Sequence, residues 1–295
     1  EGNGMNIITI DHVTKDYGCQ RGIFNMSFQI KQGETLGFLG PNGSGKTTTI
    51  RHLMGFMKPD SGVVQIHGLD CFQDAAQIQK MVGYLPGEMS FIDDMTGIDF
   101  IQLIAKLKGM QDLSYAYELM QFLELDAKAP IKRMSKGMKQ KIGLVIAFMQ
   151  NPPILILDEP TSGLDPLMQL KFVELMKQFK QQGKTILMSS HIFEEIENIC
   201  DRVVIIKAGQ IVAIEDMEKL KHNRYKHYEI QFSSLQEANL FMKKYPDARQ
   251  NECYVSLMLQ GHIDDFIKDL SHYKVNDLNI RSQSLEEIFL QYYGE

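Results

Sequence analysis

Short apolar runs alternate with turn residues over about residues 5–85 of the chain. Runs of this kind, bounded by glycine, proline and asparagine, are typical of β-strands joined by tight connections. The runs that predict strands are NIITI, MSFQI, ETLGFL, VVQIHG and MVGYLP. A glycine-rich segment follows the third run and precedes a periodic apolar stretch that predicts a helix.

The pattern becomes helical over about residues 89–151, where apolar residues recur at helical spacing. Pro130 separates the first two predicted helices from a third, which is expected to begin near Ser135. Strands return at PILILDEP and KTILMSSH with a helix between them, and DRVVIIKAGQIVAI predicts a β-hairpin. These features predict an α/β domain at residues 5–215 that contains a helical insertion at about 89–151.

The pattern changes again over residues 216–295, where predicted strands and helices alternate three times. This alternation predicts a small accessory α/β domain. Ser284 and Glu287 have the spacing of a capping box for its last helix. This accessory domain is expected to have a structural or interaction role, because its sequence shows no group of residues suited to catalysis. Residues 1–4, before Met5, are expected to be foreign to the native chain.

Composition and charge narrow the class of protein. The chain is 44% hydrophobic and 23% charged, as expected for a globular protein. A net charge of −6 and the lack of a basic run argue against nucleic acid as a partner. The longest apolar stretches, such as residues 142–149, are far shorter than the roughly 18 residues that suggest a membrane span. The four cysteines are widely scattered, which favours reduced thiols in the cytosol.

The glycine-rich segment has the spacing G-x-x-x-x-G-K-[ST] of a phosphate-binding loop, between a predicted strand and a predicted helix. Its glycines let backbone N–H groups surround a phosphate, and the helix offers the positive end of its dipole. Lys46 is expected to reach the terminal phosphates, and Thr47 to offer its hydroxyl to Mg²⁺. The predicted nucleotide-binding residues of this loop are Gly40, Pro41, Asn42, Gly43, Ser44, Gly45, Lys46, Thr47 and Thr48.

Two carboxylates, Asp158 and Glu159, come directly after the apolar run ILIL, which predicts a buried parallel strand. Ligands of parallel sheets collect at the carboxyl ends of the strands. Asp158 is therefore expected to hold Mg²⁺ together with Thr47, and Glu159 to polarise an attacking water.

Six motifs occur in the order found in the ATP-binding subunits of ABC transporters. They are KDYG, the phosphate loop, MSKGM, ILILDEP, SGLD and SSH, within about residues 5–215. The chain resembles this family. The SKGMKQK run and the tail SLEEIFLQYYG resemble the stand-alone subunits of ABC-2 type drug- and peptide-exporting systems. The resemblance implies a P-loop NTPase core with an antiparallel β subdomain, in addition to the helical insertion and the C-terminal α/β appendage.

The resemblance also implies roles for single residues. Tyr17 would stack on adenine, and His191 would be the switch histidine that acts with the catalytic glutamate. Ser135 and Gly137, at the start of a predicted helix, would bind the γ-phosphate of an ATP held by a second subunit. Asp165 of SGLD would lie at the same dimer interface. The implied active unit is a head-to-tail dimer with two ATP molecules at its interface.

Two motifs depart from the family pattern. MSKGM stands where the family usually has LSGGQ, so the first glycine and the glutamine are missing. In LPGEM, Gly87 stands where the family commonly has a glutamine that ligates Mg²⁺. Glu88 could supply a metal ligand if the loop shifts by one residue, or Gly87 could be a joint between the α/β core and the insertion.

The resemblance implies a subunit that hydrolyses ATP with Mg²⁺ and drives a separate transmembrane permease, in export of a drug, peptide or lipid-like substrate. It would lie at the cytoplasmic face of the membrane and pair with an identical or a different ATP-binding subunit. The segment MSFIDDM, residues 89–95, is a candidate surface for docking to the permease, although its Phe and Ile could equally pack into the core.

Two other functions stay open at this point. One is a soluble ABC ATPase that acts on ribosomes or in DNA repair, and the other is a nucleotide-dependent regulator with little turnover. The single cassette and the lack of sustained heptads favour the transporter subunit over the first of these.

Overall fold

The chain divides into two compact units, Glu1–Asp216 and Met217–Glu295. The computed structural model describes residues 5–222, 225–260 and 263–293. Residues 1–4, expected to be foreign to the chain, lie outside the described residues. The division falls one residue after the domain boundary that the sequence predicts at residues 215–216.

The first unit consists of two β-sheets and the helices that pack on them. Its strands are β1 (Asn6–Asp16), β2 (Gly22–Lys31), β3 (Thr35–Leu39), β4 (Ser61–Ile66), β5 (Leu69–Asp70), β6 (Val82–Leu85), β7 (Ile154–Asp158), β8 (Thr185–Ser190), β9 (Arg202–Lys207) and β10 (Gln210–Asp216). Its helices are α1 (Lys46–Leu53), α2 (Ala75–Met81), α3 (Gly97–Leu107), α4 (Ser114–Phe122), α5 (Lys136–Phe148), α6 (Pro166–Gln181) and α7 (Phe193–Ile199).

The central sheet has the strand order β10-β9-β3-β8-β7-β6. All neighbouring strands are parallel except β10, which pairs antiparallel with β9 in the predicted hairpin. Every residue of β3, β7 and β8 is buried, which is why these strands are almost continuous apolar runs. Because parallel strands end at the same edge, the loops after β3, β7 and β8 meet there.

The second sheet is the antiparallel β subdomain, with strand order β2-β1-β4-β5. Its buried side chains share one core with the central sheet. Phe28 of β2 packs on Phe38 of β3, with 5.5 Å between the ring centroids. This shared core holds the β1–β2 connection, which contains Tyr17, beside the loop that follows β3.

The helical insertion lies between β6 and β7 and contains α3, α4 and α5. Thr96 begins α3 with a capping box to Asp99. Ser135 is the N-cap of α5, in agreement with the helix start predicted near this residue. An added Cβ at Gly143 of α5 would lie only 2.3 Å from Met89 Sδ. Glycine therefore lets the segment after β6 approach α5 closely.

The second unit has a β-α-β-β-α-β core between two further helices. Its elements are α8 (Met217–His222), β11 (Lys226–Phe232), α9 (Leu235–Lys244), β12 (Arg249–Asn251), β13 (Tyr254–Leu259), α10 (Ile263–Leu270), β14 (Val275–Ser282) and α11 (Leu285–Tyr293). The sheet is antiparallel in the order β12-β13-β11-β14, which is the ferredoxin-like arrangement. Its core joins Tyr228 and Phe232 of β11 to Phe241 of α9 and Phe266 of α10.

The predicted capping box of the last helix is present. Ser284 N donates to Glu287 Oε2 at 2.9 Å, and Glu287 N donates to Ser284 Oγ at 3.1 Å. None of the helices in the described residues is both long and apolar enough to cross a membrane.

All four cysteines are free thiols. Cys71 and Cys200 are buried, Cys253 is partly buried and Cys19 is exposed. Burial, with a smaller effect of the Asp70 charge, raises the pKa of the Cys71 thiol to about 12. Burial also raises the pKa of Cys200. The two buried thiols are therefore protonated at neutral pH and poorly reactive.

Candidate active site

The glycine-rich loop runs from the end of β3 into the first turn of α1. Gly45, the N-cap of α1, has φ +111°, a conformation that glycine adopts readily and other residues avoid. An added Cβ there would lie 2.7 Å from Ile23 Cγ2. The first backbone N–H groups of a helix lack intrahelical acceptors, so the turn after Gly45 can bind an anion.

Lys46 is buried inside this loop, with 5% of its surface exposed. Its Nζ donates to Gly40 O at 2.6 Å and to Pro41 O at 3.2 Å, and lies 3.3 Å from Glu159 Oε1. The hydroxyl of Ser44 is buried and has no hydrogen-bond partner among the described residues. A buried ammonium and a free buried hydroxyl, together in one loop, fit the oxygen atoms of a phosphate chain.

Asp158, the last residue of β7, is completely buried and receives two hydroxyl hydrogen bonds. Thr47 Oγ1 donates to Asp158 Oδ2 at 2.8 Å, and Ser189 Oγ donates to Asp158 Oδ1 at 2.5 Å. Burial, with a smaller effect of the Asp158 charge, raises the pKa of the neighbouring Tyr84 to about 12. A carboxylate and a hydroxyl at the mouth of a phosphate loop are oxygen donors of the type that Mg²⁺ binds.

Glu159 lies one residue further along and has φ +50°, an unusual conformation for a residue other than glycine. Its N–H donates to both the carbonyl and the hydroxyl of Ser189, at 3.2 and 3.0 Å. Its carboxylate lies between the side chains of His191 and Lys46. His191 Nδ1 donates to Oε2 at 2.6 Å, and Lys46 Nζ lies 3.3 Å from Oε1.

A cavity of about 520 Å³ lies over these groups. Its volume is in the range of small-molecule sites. It is lined by Tyr17, Gln20, Arg21, Gly22, Asn42, Gly43, Gly45, Lys46, Thr47, Thr48, Glu159 and Ala208. Tyr17 is half exposed at its edge, and its hydroxyl donates to Met57 Sδ at 3.2 Å. The cavity thus brings together an aromatic ring, the phosphate loop and the carboxylate of Glu159.

Nine predicted site residues do not line this cavity. Six of them belong to the phosphate loop, the acids after β7 and their neighbours: Gly40, Pro41, Ser44, Glu88, Asp158 and His191. The other three are Ser135, Gly137 and Asp165. Ser135 is exposed, and its Oγ accepts a hydrogen bond from Met138 N at 3.2 Å as the cap of α5. Asp165 is exposed and caps α6, with Oδ1 accepting from Met168 N at 3.1 Å. These residues lie near one another, because Gly137 packs against the backbone of Gly163.

The lysine of MSKGM, which departs from the family pattern, makes a contact near Ser135, Gly137 and Asp165. Lys136, which stands at the first glycine position of the family pattern, donates from Nζ to Ser162 Oγ at 2.7 Å. Its side-chain carbons lie against Gly163. The lysine therefore joins the start of α5 to the SGLD segment of the same chain.

The loop LPGEM passes directly beside Asp158. A Cβ added at Gly87 would lie 3.2 Å from Asp158 Oδ2, whereas Glu88 is exposed. Among the described residues, no hydrogen bond or ion pair joins Glu88 to Thr47 or Asp158. The backbone of Gly87 thus packs against the side chain of Asp158, one of the predicted metal ligands.

Several polar residues of the site were not predicted. Gln140 of α5 is buried, and its Nε2 donates to Glu159 O at 3.2 Å and Pro160 O at 2.8 Å. Ser189 was part of a quoted motif but received no role, although its hydroxyl donates to the Asp158 carboxylate and accepts from the backbone N–H of Glu159. Glu195 of α7 is a buried acid four residues after His191. Nothing in the local pattern distinguishes Gln140 or Glu195 from a surface residue, because each is a single polar position in a helix.

Comparison with known proteins identifies the family. A family model described as ABC transporter matches residues 23–162. The bacitracin transport ATP-binding protein BcrA of Bacillus licheniformis is 33% identical over 299 residues, 98% of this chain and 97% of that protein. The linearmycin resistance ATP-binding protein LnrL of Bacillus subtilis is 34% identical over 213 residues, 70% of this chain and 68% of that protein.

Solved structures agree with this result. The dimeric structure of a bacterial ABC transporter cassette is 26% identical and superposes with a TM-score of 0.64, covering 72% of this chain and 99% of that chain. The chain therefore belongs to the ABC transporter family as an ATP-binding subunit, an ATPase with the P-loop α/β fold of that family.

Proposed function

We propose that the chain hydrolyses ATP with Mg²⁺ in a head-to-tail pair of ATP-binding subunits and thereby drives export through a separate transmembrane permease. One observation carries the proposal. Lys46, Glu159 and His191 are linked side by side, next to the pair Thr47 and Asp158, at one edge of the central sheet.

ATP would occupy the cavity with its phosphates in the loop and its adenine against Tyr17. Thr47 and Asp158 would hold Mg²⁺, which would neutralise negative charge on the phosphates. Lys46 would turn its ammonium from the Gly40 and Pro41 carbonyls towards the terminal phosphates. This movement would release Glu159 from its ion pair with Lys46.

The released Glu159 carboxylate would orient the attacking water and accept its proton. His191 donates to Glu159 Oε2, so it would hold the carboxylate in one direction. The strained backbone of Glu159 supports this role, because its N–H is tied to Ser189 and its carbonyl to Gln140. Such restraints fix the side chain of a reacting residue.

The second subunit, either a copy of this chain or a different one, would contribute Ser135, Gly137 and Asp165 to the ATP bound here. Ser135 and Asp165 are exposed, and all three residues lie outside the cavity of their own chain, which supports action in trans. Helix α5 begins with no acidic residue in its first turn, as suits an approaching phosphate.

Export is favoured by the relatives, which are described as proteins of bacitracin transport and linearmycin resistance. We therefore propose a drug, peptide or lipid-like substrate, and a place at the cytoplasmic face of the membrane with reduced cysteines. The permease would dock on residues 89–95. Ile92 is half exposed there, whereas Phe91 packs on Phe100 with 5.2 Å between centroids.

The experiment is a measurement of Mg²⁺-dependent ATP hydrolysis by the full chain, with and without the copurified permease. Lys46→Ala is expected to weaken ATP binding and to abolish turnover, because the loop loses its buried ammonium. Lys177→Ala, which removes an exposed lysine of α6, is the matched control and should leave both unchanged. Hydrolysis at the original rate in Lys46→Ala would contradict the proposed nucleotide site.

A further inference from the structure

Glu195 is a buried acid in the helix that follows the switch histidine. Only 6% of its surface is exposed, and it lies in the first turn of α7. Ile196 and Ile199 fix this helix in the core, with Ile196 lying against Gly37 of β3. Burial raises the pKa of the Glu195 carboxyl, although hydrogen bonds from Thr161 and Ser190 oppose this effect.

Both oxygens of Glu195 are used. Oε1 accepts a short hydrogen bond from Thr161 Oγ1, and Oε2 accepts one from Ser190 Oγ at 2.8 Å. Ser190 Oγ in turn accepts from Ile192 N at 2.9 Å. Thr161 and Ser190 are themselves buried. The carboxylate therefore joins two loops that come from different strands of the sheet.

These two loops carry the candidate catalytic groups. Thr161 follows Glu159 by two residues, and Ser190 directly precedes His191. His191 and Glu159 also contact each other, with 2.6 Å between Nδ1 and Oε2. These contacts form a closed ring. Glu195 links the two backbone segments that carry Glu159 and His191, and the side chains of Glu159 and His191 contact each other.

We propose that Glu195 is a positioning residue for hydrolysis, which holds the Glu159 loop and the His191 loop at the spacing that their side chains require. This inference rests on the proposed function of Glu159 and His191. Glu195 itself does not touch the cavity. Burying an acid is unfavourable unless its oxygens are hydrogen-bonded, and both partners here lie within two residues of a candidate catalytic group.

The first test compares kcat and ATP affinity of the full chain. Glu195→Ala is expected to lower kcat by about 10- to 100-fold, because small displacements of reacting groups have effects of this size. ATP affinity should stay within about two-fold, since Lys46 and the phosphate loop are unchanged. A fluorescent ATP analogue measures affinity, and release of phosphate measures kcat.

Two further variants separate positioning from general stability. Glu195→Gln should retain most of kcat, because its amide can accept from one hydroxyl and donate to the other. Glu194→Ala, in the same helical turn but exposed, should leave kcat unchanged. Thermal unfolding of each variant shows whether kcat is measured on folded protein.

A double-mutant cycle tests the ring directly. Thr161→Val and Ser190→Ala each remove one contact of Glu195 and should each lower kcat. Adding Thr161→Val to Glu195→Ala should have little further effect, since that contact is already lost. Ser190→Ala also removes the acceptor of Ile192 N, so only the part of its effect that passes through Glu195 should disappear in the double variant. If Glu195→Ala does not fold, these two variants and Glu195→Gln supply the test.

Full kcat in folded Glu195→Ala, Thr161→Val and Ser190→Ala would overturn the inference. So would equal losses of kcat in Glu195→Ala and Glu194→Ala. Failure of the proposed function itself would be recognised with another variant, because Glu159→Gln would then hydrolyse ATP at the original rate. If Glu159→Gln is inactive while folded Glu195→Ala has full kcat, only the positioning role is wrong.

Discussion

Glu159 is restrained at three points. Its N–H is bound to Ser189, its carbonyl accepts from Gln140, and its carboxylate lies between Lys46 and His191. These contacts explain how a residue other than glycine keeps φ +50°. In the proposed function, the nucleotide and Glu159 would compete for the same Lys46 ammonium, so binding of ATP and release of the carboxylate would be coupled.

Glu159→Gln is expected to bind ATP but to lower hydrolysis by at least about 10²-fold, because an amide cannot accept the proton of water. ATP should remain bound in this variant, and ATP-dependent dimers should accumulate on gel filtration. Glu174→Gln, an exposed glutamate of α6, is the matched control. Turnover at the original rate in Glu159→Gln would show that another residue is the base.

The segment between β6 and α3 links the sheet edge to the helical insertion. Gly87 lies beside the Asp158 carboxylate, and two residues later Met89 lies over Gly143 of α5. A shift of α5 relative to the sheet would therefore reach Asp158 through only three residues of backbone. This geometry favours the interpretation of Gly87 as a joint over that of Glu88 as a metal ligand.

Gly87→Pro is expected to reduce permease-stimulated hydrolysis for two reasons. The Cβ of the proline would lie only 3.2 Å from Asp158 Oδ2, and the proline ring would fix the φ angle of the proposed joint. Glu88→Ala should have little effect. Hydrolysis is measured for both variants with the permease in membranes and compared with basal turnover. A selective loss in Glu88→Ala, with Gly87→Pro normal, would instead favour the carboxylate as a ligand.

The predicted site residues of one chain lie in two separate groups, one at the cavity and one at the start of α5 and the SGLD segment. The cavity contains the phosphate loop and Glu159, whereas Ser135, Gly137 and Asp165 do not line it. A symmetric head-to-tail pair of subunits would place each group opposite the other twice. The structurally related cassette is described as dimeric.

Ser135→Arg is expected to leave ATP affinity of the isolated subunit unchanged and to abolish hydrolysis, because bulk and misplaced charge at the start of α5 prevent its contact with the γ-phosphate held by the other subunit. Fluorescent ATP binding and phosphate release measure the two effects. Reduced ATP affinity of the isolated subunit would contradict a role in trans.

A mixing experiment extends this prediction to two copies of the chain. Ser135→Arg retains its phosphate loop and Lys46→Ala retains its α5 start, so a mixed pair has one intact site. Equal amounts should recover about a quarter of the original activity if pairing is random. No recovery would show that two copies of this chain do not form the active pair.

The sequence alone determined much of the fold and the position of the phosphate loop. Strands β3, β7 and β8 were predicted because their apolar runs report burial, and Ser135 was predicted as a helix start because capping is local. Lys46 and Thr47 were predicted because the phosphate loop has a fixed spacing of its own residues. Asp158 and Glu159 were predicted because they come directly after a buried parallel strand, where ligands of such sheets collect.

Only the tertiary structure revealed what holds these groups in place. Gln140 contacts the Glu159 turn from 19 and 20 residues away in the chain, and Glu195 joins Thr161 to Ser190 across 34 and 5 residues. Gly87 approaches Asp158 through folding of a loop that carries no periodic pattern. Contacts between single polar residues distant in sequence leave no local pattern, so the fold of the chain decides them.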